Sequence, residues 1–142
     1  MWTYEHSART PLPPEAIWRV LADIDNWTRW DTSMADIRLL GPFALGTEIA
    51  MTPYGQDPIR STIVTIDPNR RYADETAFDG LTLCFSHTLT PLDSGGTRVV
   101  HALAISGPTA DEAGPGLGAQ ITEDFPDAMA ALLARAAHLA AR

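Results

Sequence analysis

The sequence contains no lysine; all ten basic residues are arginine. Schiff-base chemistry on a side-chain amine is therefore excluded, as is the lysine of a phosphate-binding loop. There is one cysteine, Cys84, so no disulfide closes within the chain and no Cys-x-x-Cys redox or zinc pair exists. No glycine-rich dinucleotide fingerprint and no compact cluster of metal-ligand residues occurs, so neither cofactor nor metal is expected. No run approaches the ~18 consecutive apolar residues of a membrane span. The opening segment Met1-Trp2-Thr3-Tyr4-Glu5-His6 lacks a basic start followed by an apolar stretch, which gives the expectation of a cytoplasmic protein. Positive charge is scarce: ten basic residues face 18 acidic ones, for a net charge of −8. Such a surface repels phosphate backbones, so nucleic acid and anionic membrane are not expected partners.

What is present fits one globular domain spanning residues 1–142, with 45% hydrophobic and 20% charged residues. Residues 2–10 alternate with period two, which predicts a strand. Pro14 and Glu15 suit the first turn of a helix whose apolar stripe is Ile17, Trp18, Val20 and Leu21 and which runs to about Asp23. Further strands are predicted at roughly 34–40, 45–52, 58–67, 70–78, 80–90 and 96–106. The breaks fall at Gly41-Pro42, Pro53-Tyr54-Gly55, Asp67-Pro68-Asn69 and Asp93-Ser94-Gly95-Gly96, which predicts an antiparallel meander. From Leu117 the apolar residues recur at three and four, a helical tail. Pro126 either kinks that helix or begins it. The glycine-rich stretch from Gly107 to Gly118 reads as a mobile gate ahead of the tail.

Two histidines occupy apolar phases. His87 shares a face with Leu81, Leu83, Phe85 and Leu89; His101 shares one with Val99, Leu103 and Ile105. A three- or five-residue loop centred on Ser94 pairs residues whose numbers sum to 188, and His87 and His101 do so. A two-residue loop would instead shift the register and split them. Two imidazoles in an apolar setting stay neutral at pH 7 or share one proton, and a neutral imidazole can take and return a proton. The alternative is that both are core residues that react with nothing. His6, in phase with Tyr4, points toward His101 if the first and last strands are neighbours. The phase of 70–78 is open: either Ala73, Glu75 and Ala77 face inward, or Tyr72, Asp74 and Thr76 do. Cys84 is out of phase with Leu83 and Phe85 and reads as inert.

The order of elements, together with Pro13-Pro14-Glu15-x-Ile17-Trp18-x-Val20-Leu21-x-Asp23, Trp27-x-x-Trp30-Asp31, Asp67-Pro68-x-Arg70, Gly95-Gly96-Thr97-Arg98-Val99 and Phe125-Pro126-x-Ala128-x-x-x-Leu132, resembles the START-like (SRPBCC) superfamily, the polyketide cyclase/dehydrase group. The resemblance covers nearly the whole chain. It implies an α+β helix-grip fold: a curved seven-stranded antiparallel sheet around a long C-terminal helix, two short helices after the first strand, and a cavity between sheet and helix. Fold alone does not fix function in such a group. The implied function is binding of a small hydrophobic or aromatic molecule, lipid included, as carrier or sensor; the alternative is a cyclase or dehydratase with His87 and His101 as acid/base pair. Tyr4, His6, Trp30, Tyr72, Phe85, Leu103, Ile121, Phe125 and Met129 are expected to line the cavity. Monomer and homodimer both stay open.

Overall fold

The computed structural model describes all residues from Met1 to Arg142. The chain runs β1 (Trp2–Thr10), α1 (Pro14–Leu21), a 3-10 turn (Ile24–Arg29), β2 (Met34–Leu39), β3 (Glu48–Pro53), β4 (Ile59–Asp67), β5 (Arg71–Phe78), β6 (Leu81–Pro91), β7 (Thr97–Ser106), α2 (Ala110–Thr122) and α3 (Phe125–Ala140). All seven strands form one antiparallel sheet in the order β1-β7-β6-β5-β4-β3-β2. The helix-grip arrangement and its seven strands are as the sequence predicts. No helix is long and apolar enough to cross a membrane.

Local chemistry explains the joints. Pro13 is extended and Pro14 opens α1, where a missing N–H costs nothing. Ile17, Val20 and Leu21 then turn one helical face into the core. β6 and β7 meet through Leu92–Gly96: the Leu92 N–H donates to the Gly96 carbonyl at 2.8 Å, leaving a three-residue tip. Gly95 there adopts φ 93°, the left-handed region that a three-residue hairpin needs.

The tail differs from the single long helix expected. It is two helices that break at Glu123–Asp124, and Pro126 sits at the second position of α3 rather than kinking a continuous helix. The glycine-rich stretch is a second correction. From Ala110 onward it is helix α2, not a loose gate, and it packs on β1 and β7. Gly114 and Gly118 lie one turn apart and face the indole of Trp2. A Cβ at either position would overlap the Trp2 side chain. Glycine is thus what lets this helix close onto the sheet.

The apolar interior falls into two clusters. The larger one gathers α1, the 3-10 turn, β2–β4 and the later part of α3, with Ile17, Leu21, Ile49, Met129 and Leu132 at its centre. The smaller one holds Leu81, Leu83, Leu103, Ile105, Ala110 and Phe125 under α2. The space between them is not filled by side chains.

Candidate functional site

That space is a cavity of about 660 Å³, within the range of small-molecule sites. Trp27, Trp30, Ile37, Met51 and Tyr72 wall it from the larger cluster; Leu83 and Phe125 wall it from the smaller one.

Strand register builds the sheet wall in rows, because directly paired residues of an antiparallel sheet point to the same face. One row reads His6, His101, His87, Tyr72 and Ile66 across β1, β7, β6, β5 and β4. The next reads Tyr4, Leu103, Phe85, Asp74 and Ile63. The third reads Trp2, Ile105, Leu83, Thr76 and Ser61. Tyr72, Asp74 and Thr76 therefore face inward, and Glu75, paired with Cys84, faces out.

The rings form two groups that adjoin where Tyr72 on β5 pairs with His87 on β6. His87 and His101 stack with centroids 4.0 Å apart and planes 13° from parallel; Phe125, the first residue of α3, stacks on the far side of His101 at 3.8 Å and 11°. In the other group Trp27 packs against Trp30 at 5.9 Å and edge-on to Tyr72 at 5.6 Å. The Trp27 indole N–H donates to the carbonyls of Val20 and Leu21, each at 3.2 Å. The Trp30 indole nitrogen and His101 Nδ1 are buried without a partner in the protein.

Beside both ring groups, one row along and two residues after Tyr72 on β5, lies Asp74. Its side chain is 3% exposed and lines the cavity. The Tyr72 hydroxyl donates to Asp74 Oδ2 at 2.8 Å. Burial pushes the Asp74 carboxyl up to about 7, against the partial opposition of the Tyr72 hydrogen bond. The same desolvation pushes His87 down to about 4. His101 is held well below its ordinary value by burial first, then by the neighbouring His87 and His6. At neutral pH both imidazoles are uncharged. Ser61 and Thr76 share a hydroxyl–hydroxyl hydrogen bond within the same lining. At the mouth stand Asp31, which accepts from Ser33 N–H at 3.1 Å and Ser33 Oγ at 2.6 Å, and Asp124, whose carboxyl is pushed up by partial burial and by Asp31.

Of the residues expected on the cavity wall, Trp30, Tyr72, Phe85, His87, His101, Ile121 and Phe125 are there. Tyr4, His6, Leu103 and Met129 are not. Tyr4 and His6 sit on the edge strand, one strand beyond His101, where Tyr4 stacks on Trp2 at 6.4 Å and meets Phe125 edge-on at 5.9 Å. Leu103 is sealed in the smaller apolar cluster and Met129 in the larger one. Asp31, Asp74 and Asp124 were not marked as site residues by the sequence pattern. One signal was available for Asp74: the dipeptide Asp79-Gly80. No group of three or more His, Cys, Asp or Glu side chains is placed to hold a metal ion.

Solved structures that share the outline of this chain differ widely from it in sequence. The Zhui aromatase/cyclase from Streptomyces sp. R1128 superposes with a TM-score of 0.77 at 19% identity, over 95% of this chain and 93% of that one. A START superfamily protein from Mycobacterium smegmatis gives 0.76 at 14% identity, over 96% and 98%. The di-domain aromatase/cyclase BexL of the BE-7585A biosynthetic pathway gives 0.75 at 16% identity, over 95% of this chain and 46% of that one. At these identities the likeness is one of fold. No curated protein sequence matches the chain. Residues 1–140 match the family described as polyketide cyclase / dehydrase and lipid transport, and the chain belongs to that family.

Proposed function

We propose that the protein binds a small hydrophobic or aromatic molecule between the sheet and the helical tail, as a carrier or sensor. The observation that carries this reading is the unfilled volume of about 660 Å³ lined by both ring groups. A monomeric fold of this size ordinarily packs its interior to crystal-like density, and a void of this size forfeits contacts on every side. Trp30, Tyr72, Phe85, Ile121 and Phe125 would contact the guest. The test is native mass spectrometry of the freshly purified protein, followed by titration with aromatic probes read by tryptophan fluorescence. A retained non-protein mass, or saturable quenching in the micromolar range, supports the reading. Neither a retained mass nor saturation by any aromatic probe overturns it.

A second reading, a cyclase or dehydratase, is favoured by the His87–His101 stack beside the cavity. One neutral imidazole would take a proton from the carbon next to a ketone. That carbon would then bond to a second carbonyl carbon, whose oxygen takes the proton and becomes a hydroxyl; a second proton removed from the same carbon would pass to that hydroxyl, which leaves as water as the carbon–carbon double bond forms. In this reading His87→Ala and His101→Ala abolish turnover of a polyketide-like substrate and leave its binding intact. Binding without turnover in the unaltered protein rejects it.

A further inference from the structure

The cavity wall contains no arginine, although the chain has ten. Its charged lining residues are all acidic: Asp74 inside, Asp31 and Asp124 at the mouth. The two imidazoles carry no charge at neutral pH, as derived above. An anionic guest would thus lose its hydration and meet no cation in return, a combination that disfavours burial strongly.

Asp74 is the polar group at the centre. It lies midway along the wall, in the row between Tyr72 and Thr76, with Phe85 and Ile63 paired on either side. Oδ2 accepts the Tyr72 phenol at 2.8 Å, and no protein group bonds the other oxygen. A buried carboxyl in apolar company keeps its proton, and a protonated carboxyl is a hydrogen-bond donor. The protein offers that donor no acceptor.

We propose that Asp74 anchors an uncharged, oxygen-bearing ring compound by donating its carboxyl proton to a carbonyl or hydroxyl oxygen of the guest, and that the cavity rejects the carboxylate of the same skeleton. Tyr72 is a positioning residue, holding the carboxyl so that its free oxygen faces the hollow. This inference rests on the cavity-binding reading and adds to it the charge and the anchoring atom of the ligand.

Three probes of one shape separate the claims: 2-acetonaphthone, naphthalene and 2-naphthoate. At pH 6 the ketone should bind about tenfold tighter than naphthalene, the difference one satisfied hydrogen bond to a buried donor makes. The naphthoate should bind at least tenfold weaker than the ketone. Raising the pH through 7 ionises Asp74, so the ketone's advantage should shrink. The titratable groups that face Asp74 are Tyr72 on its own strand, His87 and His101 across the wall, and Asp31 and Asp124 at the mouth. The histidines are already neutral over this range. Asp74→Ala should bring the ketone down to the level of naphthalene, with naphthalene's own affinity unchanged as the check that the cavity is intact. Asp74→Asn keeps a donor and should hold the ketone's advantage while removing its pH dependence. Naphthoate binding as tightly as the ketone overturns the proposal, as does a ketone affinity indifferent to Asp74→Ala. A ketone no tighter than naphthalene also overturns it and leaves the cavity-binding reading standing. Silence from all three probes overturns both.

Discussion

The imidazoles of His87 and His101 lie face to face at 4.0 Å, on adjacent strands and in direct register. Two groups that ordinarily titrate near 6.5 are thereby kept out of water and against each other, and both resist protonation.

A stability profile with an acid limb and a slight sag near neutrality follows. In the unfolded chain each histidine binds its proton below about 6.5. In the folded protein His87 does so only near 4 and His101 well below 6.5. Folding therefore expels protons in that window, and stability is lost as the pH falls from about 6.5 toward 4. Asp74 acts with the opposite sign. Its folded value of about 7 lies above the unfolded 3.8, so folding takes up a proton and stability declines as the pH rises between them. Two histidines outweigh one carboxyl, so stability should rise from pH 4 to about 6.5, sag slightly to about 7, and then level off. Urea denaturation at half-unit pH steps measures this. His87→Phe should flatten the acid limb, and Asp74→Asn should remove the sag and steepen the rise. A profile that falls steadily from pH 5 to 6.5 contradicts the assignment.

Helix α2 makes a prediction with opposite signs on adjacent glycines. Gly118→Ala drives a methyl into the Trp2 ring and should cost about 1–3 kcal/mol, the usual penalty for overpacking. Gly116 has nothing within 4 Å of its would-be Cβ. Gly116→Ala should instead stabilise by about 0.5–1 kcal/mol, by helix propensity alone. In a Trp2→Ala background the Gly118→Ala penalty should largely vanish. Thermal unfolding of these four variants beside the unaltered protein decides it; equal effects at both glycines would mean α2 does not rest on Trp2.

The Tyr72–Asp74 hydrogen bond predicts a third result. The bond holds the Asp74 carboxyl lower than burial alone would set it. Tyr72→Phe should therefore move the carboxyl further up, above about 7. Carbon-13 NMR of the Asp74 carboxyl through a pH titration reads this directly. A downward movement would mean that the phenol supports the neutral acid rather than the ion.

Much of the sheet was legible because its signals are local. Alternation and turn residues set all seven strands to within three residues of their observed bounds, and the loop around Ser94 narrowed the register to two outcomes, of which the three-residue tip takes the one that pairs His87 with His101. The inward phase of β5, undecided by alternation, is legible in the turn that follows it. Asp79-Gly80 is a two-residue turn signal with both residues at positive φ, 51° and 77°, and it pairs Phe78 with Leu81. Counting back from that turn sets Tyr72 opposite His87 and turns Asp74 inward. Helix α2 was legible only from Leu117 onward; its first turns, from Ala110, were not. Its glycines and Pro115 are poor helix formers, and what holds it is contact with Trp2 at the far end of the chain. Nor does alternation show depth. It puts Leu103 on the same face as Phe85 but cannot say which of them a helix will cover, and the first turns of the covering helix are the ones the pattern missed.

Whether the cavity is a site or a packing defect can be settled by filling it. Ala128 lies on α3, one turn after Asp124, and lines the hollow. Ala128→Leu adds apolar volume on a helix that favours leucine, directed at space the protein leaves empty. The substitution should raise stability by about 0.5–2 kcal/mol, the gain typical of cavity filling. It should also weaken naphthalene and 2-acetonaphthone by more than tenfold, because guest and side chain compete for one volume. Gained stability with lost binding is the signature of a hollow kept open for a guest at the expense of packing. If stability rises and both probes bind as before, the volume Ala128 borders is not the volume they occupy.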